Sequence, residues 1–119
     1  MTPIFETTFY NRVNIPNDIG EILVEGERPH SAYKTFRDTA IFTNKRLIVK
    51  DAQGMTGKKI EIYSIPYSSI HMWSSENAGK MLDFTAELEL HTRAGLIKIN
   101  VGKGLNVREL DQLIARAVL

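Results

Sequence analysis

The residues that could do chemistry here are few, and their spacing argues against it. Three histidines, His30, His71 and His91, and no cysteine make up the nitrogen and sulfur ligand supply. A bound metal wants three or four ligands at short, recurring spacings. The extended pattern puts these histidines on three different strands with no carboxylate or second histidine beside them, so surface or interface histidines are expected and no metal site is. Gly54-Met55-Thr56-Gly57-Lys58-Lys59 superficially suggests a phosphate loop. A true one has four residues between its glycines, Ser or Thr after the lysine, and a helix following; all three are missing. Gly102-Lys103-Gly104 lacks the rest of a dinucleotide fingerprint, and Leu105 and Asn106 stand where a phosphate would approach. Ser68, Ser69, Ser74 and Ser75 have no Gly-x-Ser-x-Gly context. Glu87 and Glu89 point outward from a regular strand as solvated charge. No catalytic residue and no cofactor is expected.

What remains is recognition chemistry. Arg37 and Asp38, with Asn44, Lys45 and Arg46, are the candidate partner-binding surface, polar groups at or near hairpin turns. The competing reading of Lys45-Arg46 is a solvated turn with Arg46 paired to a nearby carboxylate, and it is the preferred one.

The elements that must position these residues centre on positions 38–51. Two apolar runs, Ala40-Ile41-Phe42 and Leu47-Ile48-Val49, flank Thr43-Asn44-Lys45-Arg46. Asn tolerates left-handed backbone angles, so a two-residue Asn44-Lys45 loop is expected. That loop sets Phe42 opposite Leu47, Ile41 opposite Ile48 and Ala40 opposite Val49. The hairpin is then apolar on both faces and needs cover on both.

Around it, residues 1–15 form an arm whose Ile4, Phe5, Phe9, Tyr10 and Val13 are spaced loosely like a helix face, weakened by Thr7, Thr8 and Asn11. A short helix is expected over about 17–25, capped by Asn17, with Ile19, Ile22 and Leu23 buried and Gly26 ending it. Strands follow over about 28–101. In 59–66, Ile60 and Ile62 alternate with Lys59 and Glu61; in 69–75, Ile70 and Met72 share one side and His71 and Trp73 the other. A hairpin over 83–101 pairs Leu90 with Ile97, Leu88 with Ile99 and Glu89 with Lys98 through an Arg93-Ala94 loop, because a three-residue loop would set apolar against polar. A helix is expected over 106–119, with Asn106 as cap, Glu109 completing a capping box and a stripe of Val107, Leu110, Leu113, Ile114, Ala117 and Val118. Arg108, Asp111, Gln112 and Arg116 would face water. A seven-stranded antiparallel sheet with one good inner face curls into a partly open barrel, which the last helix would plug.

Composition bounds the class. The chain has 119 residues, a formal net charge of +1 and 24% charged residues with signs interspersed. That is one domain with room for a real core. There is no basic arm to suggest nucleic acid, and neither a signal peptide nor an apolar run able to span a membrane. A cytoplasmic protein is expected.

The chain resembles the bacterial pleckstrin-homology family of small stand-alone domains. Arg37-Asp38, Phe42-Thr43-Asn44-Lys45-Arg46-Leu47, Asp51, Gly54 and Gly57 carry the resemblance, with Ile65-Pro66-Tyr67, Ile70 and Ala78-Gly79. It runs from about Asp18 to the C-terminus and leaves the arm outside a domain over 16–119. It implies a PH-like barrel capped by a C-terminal helix, ring-shaped homo-oligomers and no enzymatic activity. Eukaryotic PH domains can bind phosphoinositides through a dense basic cluster at the first hairpin. Here only Lys34 and Arg37 lie near it, diluted by Asp38.

The function expected is a non-catalytic PH-like interaction module acting as a ring, a pentamer being the expected size, with an unidentified protein as partner. A peripheral domain binding anionic lipid head groups is the alternative and is disfavoured; a small enzyme comes third. Ile41, Ile48 and Trp73 face away from the expected barrel interior and need cover from the short helix near Ile19–Leu23, from Phe5 and Phe9 of the arm, or from another copy. The short helix could absorb the two isoleucines but not Trp73 and the arm as well, so Ile41, Ile48, Trp73, Phe5 and Phe9 are the candidate oligomer interface.

Overall fold

The computed structural model describes residues 2–54, 56, 58–79 and 85–119. Met55 and Gly57 of the glycine loop, and Asp83 and Phe84 at the expected start of the second hairpin, lie outside the described residues.

The hairpin at the centre forms as its residues dictate. β4 (Asp38–Thr43) and β5 (Arg46–Gln53) pair with Phe42 opposite Leu47, Ile41 opposite Ile48 and Ala40 opposite Val49. The turn is made differently from expectation. Asn44 does not adopt a positive φ. The Thr43 hydroxyl instead accepts from the backbone N–H groups of Lys45 and Arg46, each at 3.0 Å, and so closes the loop with a side chain. Thr92 does the same for Ala94 and Gly95 in the hairpin of β8 (Thr85–Thr92) and β9 (Gly95–Gly102). There Leu90 sits opposite Ile97, Leu88 opposite Ile99 and Glu89 opposite Lys98. The Lys98 ammonium reaches diagonally to Glu87 at 3.3 Å.

The arm is built into the domain. Its Thr7 and Thr8 suit a strand better than a helix, and it forms β1 (Phe5–Phe9) and β2 (Asn11–Val13). β1 pairs with β9, in parallel, and β2 pairs antiparallel with β3 (Pro29–Lys34). The two sheets are therefore ordered β1-β9-β8-β7 and β2-β3-β4-β5-β6, edged by β1 and β7 (Ile70–Glu76) in one and by β2 and β6 (Lys59–Pro66) in the other. Among the described residues the seven antiparallel strands expected become nine with one parallel pair, and the sheets pack face to face without closing into a barrel. The arm crosses from one sheet to the other directly over Gly102. A Cβ on Gly102 would lie 2.7 Å from the Tyr10 carbonyl oxygen and 2.8 Å from that of Phe9, so only glycine permits the crossing.

Between the sheets lies the main core. Phe9, Phe42, Leu47, Leu88, Leu90, Ile99, Val101 and Ile114 are fully enclosed there. The Phe9 ring stacks on Tyr33 at 5.0 Å between centroids and meets Phe42 edge-on at 6.0 Å. A second, smaller core covers the outer face of the five-stranded sheet. Ala32, Ile41 and Ile48 are buried there beneath Val13, Ile15, Ile19, Ile22 and Leu23. The segment supplying that cover is not the expected helix over 17–25 but a single 3-10 turn, Ile19–Glu21. Gly20 weakens a longer helix, and the Asp18 side chain makes no capping bond.

Helix α1 (Val107–Val118) starts at the expected cap, its Asn106 side chain accepting from the Arg108 N–H at 3.0 Å, but among the described residues the Glu109 side chain makes no bond back to Asn106, so the expected capping box is not completed. It buries Val107, Leu110, Leu113 and Ile114, while Ala117 stays exposed. Asp111 does not face water. Its carboxylate accepts from the Trp73 indole N–H at 2.9 Å and from the Ser75 hydroxyl, pinning the helix to β7.

Candidate functional site

The five residues expected to form one partner surface do not lie together. Arg37 and Asp38 stand at the start of β4, while Asn44, Lys45 and Arg46 stand at its far end. A six-residue strand separates the groups, about 17–20 Å at strand rise.

At the far end, two of the three residues are committed to structure. Arg46 donates Nε to Glu27 Oε2 at 2.9 Å and Nη2 to Oε1 at 3.0 Å, a two-point clamp on a carboxylate with no exposed side-chain surface. The same guanidinium holds the Ile22 carbonyl at 2.8 Å and the Ser64 hydroxyl at 2.9 Å. Glu27 accepts further bonds from the Thr43 hydroxyl (2.7 Å) and the Val24 N–H (3.1 Å). The bond from Arg46 outweighs the opposing effect of burial and, with those from Thr43 and Val24, lowers the Glu27 carboxyl to about 2. The Asn44 side chain accepts from the Arg28 N–H at 2.6 Å and donates to the Gly26 carbonyl at 3.1 Å. Arg46 and Asn44 therefore latch the 19–28 segment over Ile41 and Ile48. Lys45 alone of the three projects from the tip, exposed and with its side chain unpaired among the described residues.

At the near end the charge is acidic. Asp38, Asp51 and Glu61 sit opposite one another across three adjacent strands. Arg37 reaches this row at 3.6 Å from Asp51, and its Nη1 donates to the Ala52 carbonyl at 3.3 Å. Phe36 in the adjoining turn is 81% exposed.

The expected interface residues are placed inside the protomer. Ile41 and Ile48 are fully buried by the chain's own 13–23 segment, and Phe9 fills the main core. Phe5 is half-buried against Tyr63, ring centroids 4.8 Å apart. Trp73 is half-buried against the core and bonded to Asp111. The reason for Trp73 is a β-bulge: the register against β8 shifts between Ile70 and Met72. One extra residue reverses the faces that follow, so Ile70 and Trp73 both turn inward and Met72 is 55% exposed.

Exposed apolar side chains lie instead on β6 and β7, beside others in loops and at the C-terminus such as Val24, Phe36 and Leu119. In β6 the inward residues are Tyr63 and Ile65, set opposite Val49 and Leu47. Ile60 and Ile62 consequently face outward, each 43% exposed. Leu47 and Val49 share an inner face in the sequence-derived hairpin, so carrying that register across to 63–65 was the available signal. Among the described residues no group of three or more His, Asp or Glu could hold a metal, and no helix is long and apolar enough to cross a membrane.

With this geometry in view, comparison decides the family. The family model for the bacterial PH domain matches residues 2–118. The chain belongs to the bacterial PH domain family. The match takes in the arm, which the sequence resemblance had left outside. A crystal structure of a DUF1696 family protein with a pleckstrin-homology domain from Shewanella loihica PV-4 superposes with a TM-score of 0.81 at 32% identity, covering 97% of this chain and 99% of that one. A pleckstrin homology domain from Shewanella amazonensis SB2B gives 0.68 at 38% identity over 86% of this chain and 83% of that one. The PH-like fold is thereby established. Among curated relatives, the uncharacterized Bacillus subtilis (strain 168) protein YjqA is 47% identical over 64% of this chain, which spans 60% of YjqA's length. The uncharacterized protein YozO of the same strain is 34% identical over 80% of this chain and 82% of its own.

Proposed function

We propose that this bacterial PH domain is a non-catalytic interaction module that works as a homo-oligomeric ring and offers a polar sheet face to a protein partner. The observation that carries the assembly is the pair of unlike edge strands. β6 and β7 end their respective sheets, and both expose apolar side chains, Ile60 and Ile62 on one and Met72 on the other. Unpaired edges with apolar neighbours are ready to pair with another chain. When one surface meets a different one on the next copy, the contact repeats around an axis and closes into a ring. Five copies is the expected size.

The partner-binding face in this reading is the outer side of β1-β9-β8-β7. Glu6, Glu87 and Glu89 surround Lys98 there, Glu76 lies at its edge, and Asn100 donates to Glu6 at 2.9 Å. An excess of carboxylates suits a partner segment rich in Lys and Arg.

Sedimentation equilibrium at micromolar concentration tests the ring. A discrete species several times the 13.5 kDa chain mass is expected, and Ile62→Lys and Met72→Lys should each reduce it to monomer. A monomeric wild type overturns the ring; a ring that survives both substitutions overturns these edges as its interface. Trp73→Asp and Ile41→Asp are unsuitable probes because both side chains pack within the protomer.

Phe36 favours a second reading, a peripheral lipid-binding domain, since an exposed aromatic beside Lys34 and Arg37 can enter a membrane surface. The cross-strand row of Asp38, Asp51 and Glu61 opposes it by repelling anionic head groups. Flotation with anionic vesicles at physiological salt should leave the protein unbound. Binding that survives moderate salt would promote the lipid reading.

A further inference from the structure

At the end of the molecule where β6 leaves its sheet, the two sheets diverge around a cavity of about 330 Å³. Its walls are Ile4, Phe5, Tyr63, Ile65, Pro66 and Ile97, and the 93–94 turn forms its mouth. That volume falls in the range of small-molecule sites, about 300–1,000 Å³, which are mainly apolar with a few placed polar groups. The polar groups here are largely committed elsewhere. The Ser69 hydroxyl donates to the Pro66 carbonyl at 2.7 Å and the Thr92 hydroxyl to the Gly95 carbonyl at 2.8 Å. The Tyr63 hydroxyl donates to Glu61 at 2.8 Å. Arg93 differs. It is the one charged residue lining the cavity, it is exposed, and among the described residues its guanidinium has no hydrogen-bond or ion-pair partner.

An apolar cavity with a single unpaired cation at its mouth matches one ligand chemistry, an aliphatic tail carrying one carboxylate. A doubly charged ligand would leave charge uncompensated, and a neutral hydrocarbon would leave Arg93 unused. We propose that this cavity binds a medium-chain fatty acid, its tail lying against Phe5, Ile97 and Ile65 and its carboxylate on Arg93. The site uses the inner face of β6 at Tyr63–Pro66, whereas the proposed ring contact uses Ile60 and Ile62 on its outer face, and it lies away from the acidic outer face of the other sheet.

The test is a titration of the full chain with octanoate, read by backbone amide chemical shifts. Saturable shifts confined to residues 4–5, 63–65 and 93–97 are expected. Arg93→Gln should weaken binding about ten-fold, the loss of one charge-assisted contact. Ala94→Leu, which narrows the mouth and keeps the charge, should weaken it as well, and 1-octanol should bind less tightly than octanoate. Anionic phospholipid vesicles form the second arm: cavity shifts with octanoate but not with vesicles identify the free acid as ligand. Three results overturn the proposal: no saturable shifts at millimolar octanoate, equal binding of octanoate and octanol, or folded Arg93→Gln and Ala94→Leu proteins that both bind like wild type. Shifts with vesicles alone overturn it too.

Discussion

Arg46→Met will destabilise the domain by about 3–5 kcal/mol, the usual cost of removing one partner from a buried ion pair. The substitution keeps much of the side-chain volume and removes every bond to Glu27, Ile22 and Ser64. The Glu27 carboxylate is then left without exposed surface or a counter-ion. Urea denaturation at neutral pH measures the loss, and a change below about 1 kcal/mol would show that the pair holds nothing together. Acid titration gives an independent reading. The folded Glu27 pKa is depressed to about 2 from an ordinary 4.5, so its contribution is complete above about 4.5 and disappears as the pH falls toward 2. Glu27→Gln should flatten that part of the wild-type acid profile. Because the same pair latches the 19–28 segment, Arg46→Met should also speed hydrogen exchange at the amides of Ile22 and Glu27 before it does so in the main core.

Phe9→Ala carries the second large effect, about 3–5 kcal/mol for a fully enclosed aromatic. Its ring touches Tyr33 and Phe42 of the five-stranded sheet, while its backbone pairs with Val101 of the four-stranded one. Losing it therefore loosens both sheets together. Tyr10→Ala is the matched control: half exposed and one position along, it should change the melting temperature little. Equal, small effects at the two positions would show the arm to be an ornament on a domain that stands without it.

The two hairpins were legible because their information is local. Alternation and a two-residue loop leave a single register that keeps apolar opposite apolar, and both registers are as expected. The need for cover over Ile41 and Ile48 was legible too; which neighbour met it was not. Arg46 pairs with a carboxylate, as the preferred reading held, but Glu27 stands 19 positions away in a turn with no periodic pattern to mark it. The faces of β7 were misjudged. The bulge in β7 inserts a residue that no composition signal announces. In β6 the alternation was legible, but which face turns inward was not, because that is decided by pairing with β5, which sets Tyr63 and Ile65 inward. The arm was least legible, because its ladder partner, β9, is contributed by the opposite end of the chain.

That last pairing sets the order in which the molecule can be made. During synthesis the arm emerges well before β9, against which it must lie. Until then Phe9 can meet Tyr33 and Phe42 but β1 has no ladder partner, and the closing step joins strands about ninety positions apart. Contacts of such long sequence separation slow folding and leave apolar surface and strand edges exposed to other nascent chains meanwhile. The strap that ties the finished sheets together is thus the last piece to be fastened, and the interval before it closes is when this chain most needs a chaperone.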